Sequence, residues 1–302
     1  MTNRFLFVVL LLFSFSACSP AKQAENMSVP TRTEEPQFDK DFWRCVDGST
    51  AAIPLTKMLY THFNPDGMPP DEVVIHNQTS AAYRNLLDKK AKIIFVTEPS
   101  PEDLEMFEDA GIGFEMIPVV KEAFVLFVHH KNPVMSMTVE QLRGIYQGTI
   151  INWKEVGGDD YSIMPYQRNE ASGSQTLFRS LLMKGSPIIE PKSEYVFANM
   201  SSILDAMSED EYGIAGLGYS VYFYASSMHG NKHLRFIEVD GVPPNNDTIA
   251  GGDYPLSSHY YAIIRDDTPH DDPVRKLIEF IVTDDGQKLL QDTGYVPLRV
   301  LE

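Results

Sequence analysis

Three times along this chain an extended segment runs into a Gly, Ser or Thr turn and then into residues with helical spacing, and that recurrence restricts the fold more than any other feature. The first is Val46-Asp47-Gly48-Ser49-Thr50-Ala51-Ala52, followed by Ile53, Leu55, Met58 and Leu59. The second is His76-Asn77-Gln78-Thr79-Ser80, where Thr79 or Ser80 can cap a helix carrying Tyr83, Leu86 and Leu87. The third is Gln167-Arg168-Asn169-Glu170-Ala171-Ser172-Gly173-Ser174-Gln175-Thr176, leading into Leu177-Phe178. A helix start leaves N–H groups without intrahelical partners and carries roughly half a positive charge. Arg168 adds a planar fork of donors that stays charged, Ser172 and Ser174 add hydroxyls, and Gly173 lets backbone come close. The third corner is therefore a receptor for an oxyanion.

The rest of the chain keeps the same rhythm. Strand candidates at 73–75, 93–96 and 123–128 alternate with helical patterns at 53–60, 81–87 and 101–107, as in an α/β fold with a mostly parallel sheet. A second set opens on the capping signal Thr138-Val139-Glu140-Gln141 and runs through the Arg168 corner to 214–219. A strand candidate at 260–264 and helical patterns at 273–281 and 285–290 close the chain. The aromatic run Tyr219-Ser220-Val221-Tyr222-Phe223-Tyr224 reads as core, with Tyr219 able to line a cleft.

Composition sets the surroundings. Residues 1–18 read as a lipoprotein signal, with Arg4 as the positive start, an apolar core, and Phe15-Ser16-Ala17-Cys18 as the cleavage box that would leave Cys18 for lipid attachment. Residues 19–37, polar and rich in Pro and Glu, read as a flexible linker. With Cys18 acylated only Cys45 remains, so no internal disulfide is expected, and Cys45 on an apolar strand candidate reads as a buried, inert thiol. A net charge of −17 without a basic stripe argues against nucleic acid as a partner. It does not argue against a small anion: screening in physiological salt acts over about 8 Å, whereas desolvated donors act at contact.

Enzyme chemistry finds little support. Ser172 or Ser174 with a histidine and an aspartate could form a hydrolytic triad, but the Gly-x-Ser-x-Gly elbow is missing, so no catalytic residues are assigned. No cofactor or metal is expected either, since His129 and His130 are adjacent and on a strand point to opposite faces.

Several ordered motifs resemble one family. These are Asp47-Gly48-Ser49-Thr50-Ala51, then Ile93-Ile94-Phe95-Val96-Thr97-Glu98-Pro99-Ser100, then Leu142-Arg143-Gly144-Ile145-Tyr146-Gln147-Gly148 with Asn152-Trp153-Lys154-Glu155-Val156-Gly157-Gly158, then the Arg168 corner, and Gly294-Tyr295-Val296-Pro297-Leu298 at the end. Together they resemble the phosphate-binding lipoproteins of bacterial phosphate ABC transporters, over about residue 40 to the end. The resemblance implies a two-lobed type II periplasmic-binding-protein fold, each lobe a mostly parallel sheet flanked by helices. It implies lobe 1 at 38–128 and 256–302, lobe 2 at 129–255, and two hinge strands at 124–130 and 260–264. It implies that Ser49, Thr50, Ala51, Thr79, Glu98, Arg168, Ser172, Gly173 and Ser174 hold phosphate and that Glu170 orients Arg168. Glu98 would accept the proton that hydrogen phosphate carries and sulfate lacks, which disfavours sulfate.

The implied protein is a monomer in the cell envelope, tethered through lipid on Cys18, that takes inorganic phosphate to the permease of an ABC transporter. The readings left beside it are a receptor for sulfate, molybdate or tungstate, and a lipoprotein that senses phosphate without feeding a permease.

Overall fold

The computed structural model describes residues 36–208 and 213–301. The signal at 1–18, Cys18 and nearly all of the linker assigned to 19–37 lie outside the described residues.

One mixed sheet runs through the body in the order Val46–Gly48, Ile93–Val96, Ser257–Arg265, Phe114–His129, Gly216–Val221, Met164–Pro165, and Leu234–Phe236 also pairs with Phe114–His129. It is parallel at its two ends, where 46–48 meets 93–96 and 164–165 meets 216–221. Its middle is antiparallel, because Ser257–Arg265 returns between Ile93–Val96 and Phe114–His129. The sheet is thus more mixed than the βα rhythm alone suggests.

Phe114–His129 is the backbone of the architecture. Over 114–123 it pairs with Ser257–Arg265, and over 124–127 it pairs with Gly216–Val221. The Phe124 N–H donates to the Leu256 carbonyl at 2.9 Å, so the chain passes between the two groups of strands at the same level on both strands.

The apolar run Ile93-Ile94-Phe95-Val96 is buried on both faces. Ile93 and Phe95 join the main core with Leu55, Leu59, Leu277 and Leu290, while Ile94 and Val96 join a second cluster with Tyr83, Leu86 and Phe107. Alternation along the strand therefore assigns the helices Ile53–Phe63, Pro273–Ile281 and Asp284–Asp292 to one face and Thr79–Leu87 and Pro101–Ala110 to the other. Capping boxes at Ser100 with Asp103 and at Thr138 with Gln141 fix two helix starts. Tyr295 clamps the start of the helix Ile53–Phe63: its hydroxyl donates to the Ala51 carbonyl at 2.6 Å and accepts from the Leu55 N–H at 3.2 Å.

Three expectations are corrected. Residues 73–75 form no strand; the chain makes a 3-10 turn at Pro70–Glu72, Val73 and Val74 pack into the core, and Ile75 is exposed, because 46–48 pairs, among the described residues, only with 93–96. Thr79 is the first residue of its helix rather than its cap, a place taken by Gln78. Cys45 is only partly buried. Among the described residues no helix is long and apolar enough to cross a membrane.

Candidate anion-binding site

The three corners converge on one cavity of about 200 Å³. The first corner brings Ser49 and Thr50 to it, the second Gln78 and Thr79, the third Arg168, Ser172, Gly173 and Ser174. Ala198-Asn199-Met200-Ser201, a segment the sequence reading missed, forms a fourth wall, and Tyr224 and Tyr260 complete it. Its only sequence signal is Asn199 standing before an apolar helical pattern at Met200, Ile203, Leu204 and Met207, which is the helix Met200–Met207.

Four helix starts therefore face the same space. The 3-10 turn Thr50–Ala52 continues into Ile53–Phe63, and Gly173–Leu177 continues as a π-helical segment, Phe178–Met183. The N–H groups of Thr50, Thr79, Gly173, Ser174 and Met200 have no backbone partner among the described residues. Each start contributes unpaired donors and the positive end of a peptide dipole.

Arg168 supplies the charge. It is 6% exposed, and its Nε and Nη2 donate to the carbonyls of Phe197 and Ala198, each at 3.0 Å. The short parallel pairing of Gln167–Arg168 with Val196–Phe197 sets those carbonyls in place. From below, the Arg168 N–H donates to the Tyr219 hydroxyl at 2.8 Å, and that hydroxyl bonds Gln175 in turn. Tyr219 itself is fully buried and stacked on Phe178, so the Arg168 backbone is anchored to a rigid ring. Nη1 faces Ser174 Oγ at 3.4 Å, and Ser174 Oγ lies 3.0 Å from Ser172 Oγ.

Among the described residues no carboxylate pairs with Arg168, and Arg168 is the only charged residue of the cavity wall. Burial pulls its pKa below the ordinary arginine value, with Tyr219 and Tyr224 acting the other way. A guanidinium still stays protonated at any physiological pH. The result is a desolvated positive charge without a counterion, ringed by donors, in a chain whose net charge is −17.

The second corner is held by Asp47. Its buried carboxylate accepts from the N–H groups of Gly48 and Asn77, each at 2.7 Å, and from the side chains of Asn77 at 2.9 Å and Asn85 at 2.7 Å. His76 adds a 2.9 Å contact from Nδ1 to the Ser49 carbonyl. These bonds hold Gln78 at φ 71° and ψ 170°, a conformation that costs a residue with a side chain about 1–3 kcal/mol.

Three assigned residues stand elsewhere. Glu98 turns outward and accepts from Ser180 Oγ at 2.8 Å, because side chains alternate past the end of Ile93–Val96. The inward position belongs to Thr97, whose buried Oγ1 has no hydrogen-bond partner among the described residues. Glu170 does not orient Arg168. The chain turns between them, Ser172 N–H bonding the Asn169 carbonyl, and Glu170 forms a bidentate pair with Arg179 at 2.7 Å, which lowers the Glu170 pKa. Ala51 is buried one residue behind the wall, its carbonyl taken by Tyr295. Two bonds join the segments around the cavity: Ser180 Oγ donates to Glu98, and Ser80 Oγ donates to the Ala171 carbonyl at 3.2 Å.

Gly173 is required by space. A Cβ there would lie 2.5 Å from Thr97 Oγ1 and 2.7 Å from Thr79 Oγ1, both on buried residues. Gly173→Ala is expected to force the corners apart and weaken oxyanion binding by about tenfold or more, since such overpacking costs about 1–3 kcal/mol. Calorimetric titration checks it, and an unchanged affinity would mean that the corners separate without disturbing the site.

The profile of the PBP superfamily domain matches residues 46–285. The chain belongs to the PBP superfamily. A relative in Bacillus subtilis (strain 168), "Phosphate-binding protein PstS", is 22% identical over 298 residues, spanning 97% of this chain and 94% of that protein. The protein of the same name in Staphylococcus epidermidis is 24% identical over 259 residues, 83% of this chain and 77% of that one. A solved "Putative Phosphate ABC Transporter Substrate-Binding Protein with Bound Phosphate" from Clostridium perfringens superposes with a TM-score of 0.65 at 22% identity, covering 84% of this chain and 98% of that one. An "ABC-type phosphate transport receptor" from Vibrio cholerae gives 0.63 at 23% identity, covering 83% and 98%. These likenesses establish the two-lobed type II binding-protein fold.

Proposed function

We propose that this member of the PBP superfamily captures inorganic phosphate in the Arg168 cavity and hands it to the permease of an ABC transporter. The observation that carries the reading is the buried Arg168 guanidinium, without a carboxylate partner among the described residues, facing amides from four helix starts. Hydrogen bonds to a charged group contribute about 1.5–3 kcal/mol each, so a handful suffices for the roughly −8 kcal/mol of micromolar binding. The names of the phosphate-binding relatives in Bacillus subtilis and Staphylococcus epidermidis, and bound phosphate in the Clostridium perfringens structure, support phosphate over other oxyanions.

On this reading binding leaves the anion's bonds intact: among the described residues no histidine, aspartate, glutamate or lysine is in the cavity wall to serve Ser172 or Ser174 as a general base. The two groups of strands act as lobes that flex where 123–124 and 256–257 cross, and the bridges at Glu98–Ser180 and Ser80–Ala171 favour the closed form that a permease would select. Export and a lipid tether on Cys18 complete the reading; labelling with a fatty acid tests the tether, which absent label on Cys18 would remove.

Titration calorimetry with phosphate and then sulfate tests the function: micromolar or tighter phosphate binding is expected, and no phosphate heat would refute it. Because Glu98 stands outside the cavity, Glu98→Gln is expected to change the phosphate-to-sulfate ratio by less than about twofold. A dedicated acceptor for the phosphate proton would instead supply discrimination of about 10⁴-fold, lost on its replacement. A large drop in the ratio would return Glu98 to the site.

A further inference from the structure

His129, His130 and His233 lie together, one ring nitrogen of each within 4.8 Å of the others. Alternation on a strand would send His129 and His130 to opposite faces. The strand ends at His129, however, and the chain turns there, Asn132 N–H bonding the His129 carbonyl at 2.9 Å. The His130 N–H then donates to the His233 carbonyl at 2.7 Å, which brings the 231–234 turn against the strand end. The His129 and His130 rings come to 4.4 Å between centroids, and His233 lies 5.6 Å from His130. His129 is buried, His233 half-buried and His130 exposed, so the cluster opens to solvent on one side.

The hydrogen bonding around His130 is that of a metal ligand. Its Nδ1 lies 3.1 Å from the His233 carbonyl, an acceptor only, which fixes the proton on Nδ1 and leaves the Nε2 lone pair free. Imidazole suits zinc, copper, nickel and cobalt, whereas calcium and magnesium prefer oxygen ligands. We propose that His129, His130 and His233 form a site for one divalent transition ion of the zinc class, which ties the end of the long strand to the 231–234 turn and leaves a coordination position open to water. Bonds of about 2.0–2.1 Å to a tetrahedral ion set the nitrogens about 3.4 Å apart, within reach of small ring rotations. The Lys131 amide approaches Nδ1 of His129 at 3.3 Å, so ligation through Nε2 makes that long contact give way. None of the three histidines lines the anion cavity.

Cobalt(II) titrated into the protein, prepared without a histidine tag, tests the site. One equivalent is expected to give the intense visible absorption of a four-coordinate ion, lost on adding zinc. His130→Ala and His233→Ala, both at solvent-accessible positions, are each expected to weaken cobalt binding by at least about tenfold and to leave phosphate affinity unchanged. A spectrum that stays that of the hydrated ion, or stoichiometric binding that persists in the double variant, would overturn the proposal.

Discussion

Replacing Arg168 with alanine is expected to lower phosphate affinity by about 10²- to 10⁴-fold, because two charge-assisted hydrogen bonds at about 1.5–3 kcal/mol each disappear with the guanidinium. Among the described residues no second cation is in the cavity wall to take over. Arg168→Lys is expected to recover only part of the loss: an ammonium keeps the charge but cannot bond the Phe197 and Ala198 carbonyls and still face Ser174. Titration calorimetry reads both variants, with circular dichroism as the check that each is folded. Parent-like affinity in the alanine variant would place the anion elsewhere.

Glu122 gives the largest expected effect on stability. Its carboxyl is buried where the long strand changes partners, opposite Ser258, and Oε1 accepts from the N–H groups of Ala123 at 2.9 Å and Phe223 at 3.2 Å. Oε2 has no partner among the described residues, and burial pushes the pKa up to about 7 against the pull of the backbone donors. The folded chain therefore holds a proton that the unfolded chain, with its ordinary carboxylate pKa near 4.5, has released. Stability from this group is full below pH of about 4.5, falls as pH rises, and levels off above about 7, a loss of about 3 kcal/mol. Glu122→Gln keeps the acceptor for both N–H groups and carries no proton to lose. Urea midpoints between pH 5 and 8 should fall in the parent relative to this variant. His76 and His259, whose pKa values burial lowers, act with the opposite sign in both proteins, so the difference between the two is the quantity to read. Equal pH slopes would show that Glu122 ionises freely.

Legibility followed local physics. The helix Pro273–Ile281 has the bounds read from spacing alone, because its apolar residues recur on one face between an Asp cap and a Thr. Only 123–128 of the long strand was legible, since Pro118, Lys121 and Glu122 interrupt the apolar run that tertiary pairing nevertheless extends to Phe114–His129. At the site, Ser172, Gly173 and Ser174 come together with Ser49, Thr50 and Thr79 because each sits at a helix start. Glu98 and Glu170 were misplaced because side-chain direction after a strand end or within a turn depends on a dihedral that composition does not encode. The Asn199 wall was missed because a lone cap before an apolar helix looks like any surface helix start, and Asp47 as the anchor of the second corner was missed because its partners Asn77 and Asn85 are 30 and 38 residues away.

A crystal structure grown in phosphate tests the central claim most directly. A tetrahedral anion is expected in the cavity, within hydrogen-bond distance of the Arg168 guanidinium, the Gly173 and Ser174 amides and the Thr79 and Ser49 loops. Phosphate bound away from Arg168, or an empty cavity at saturating phosphate, would contradict it.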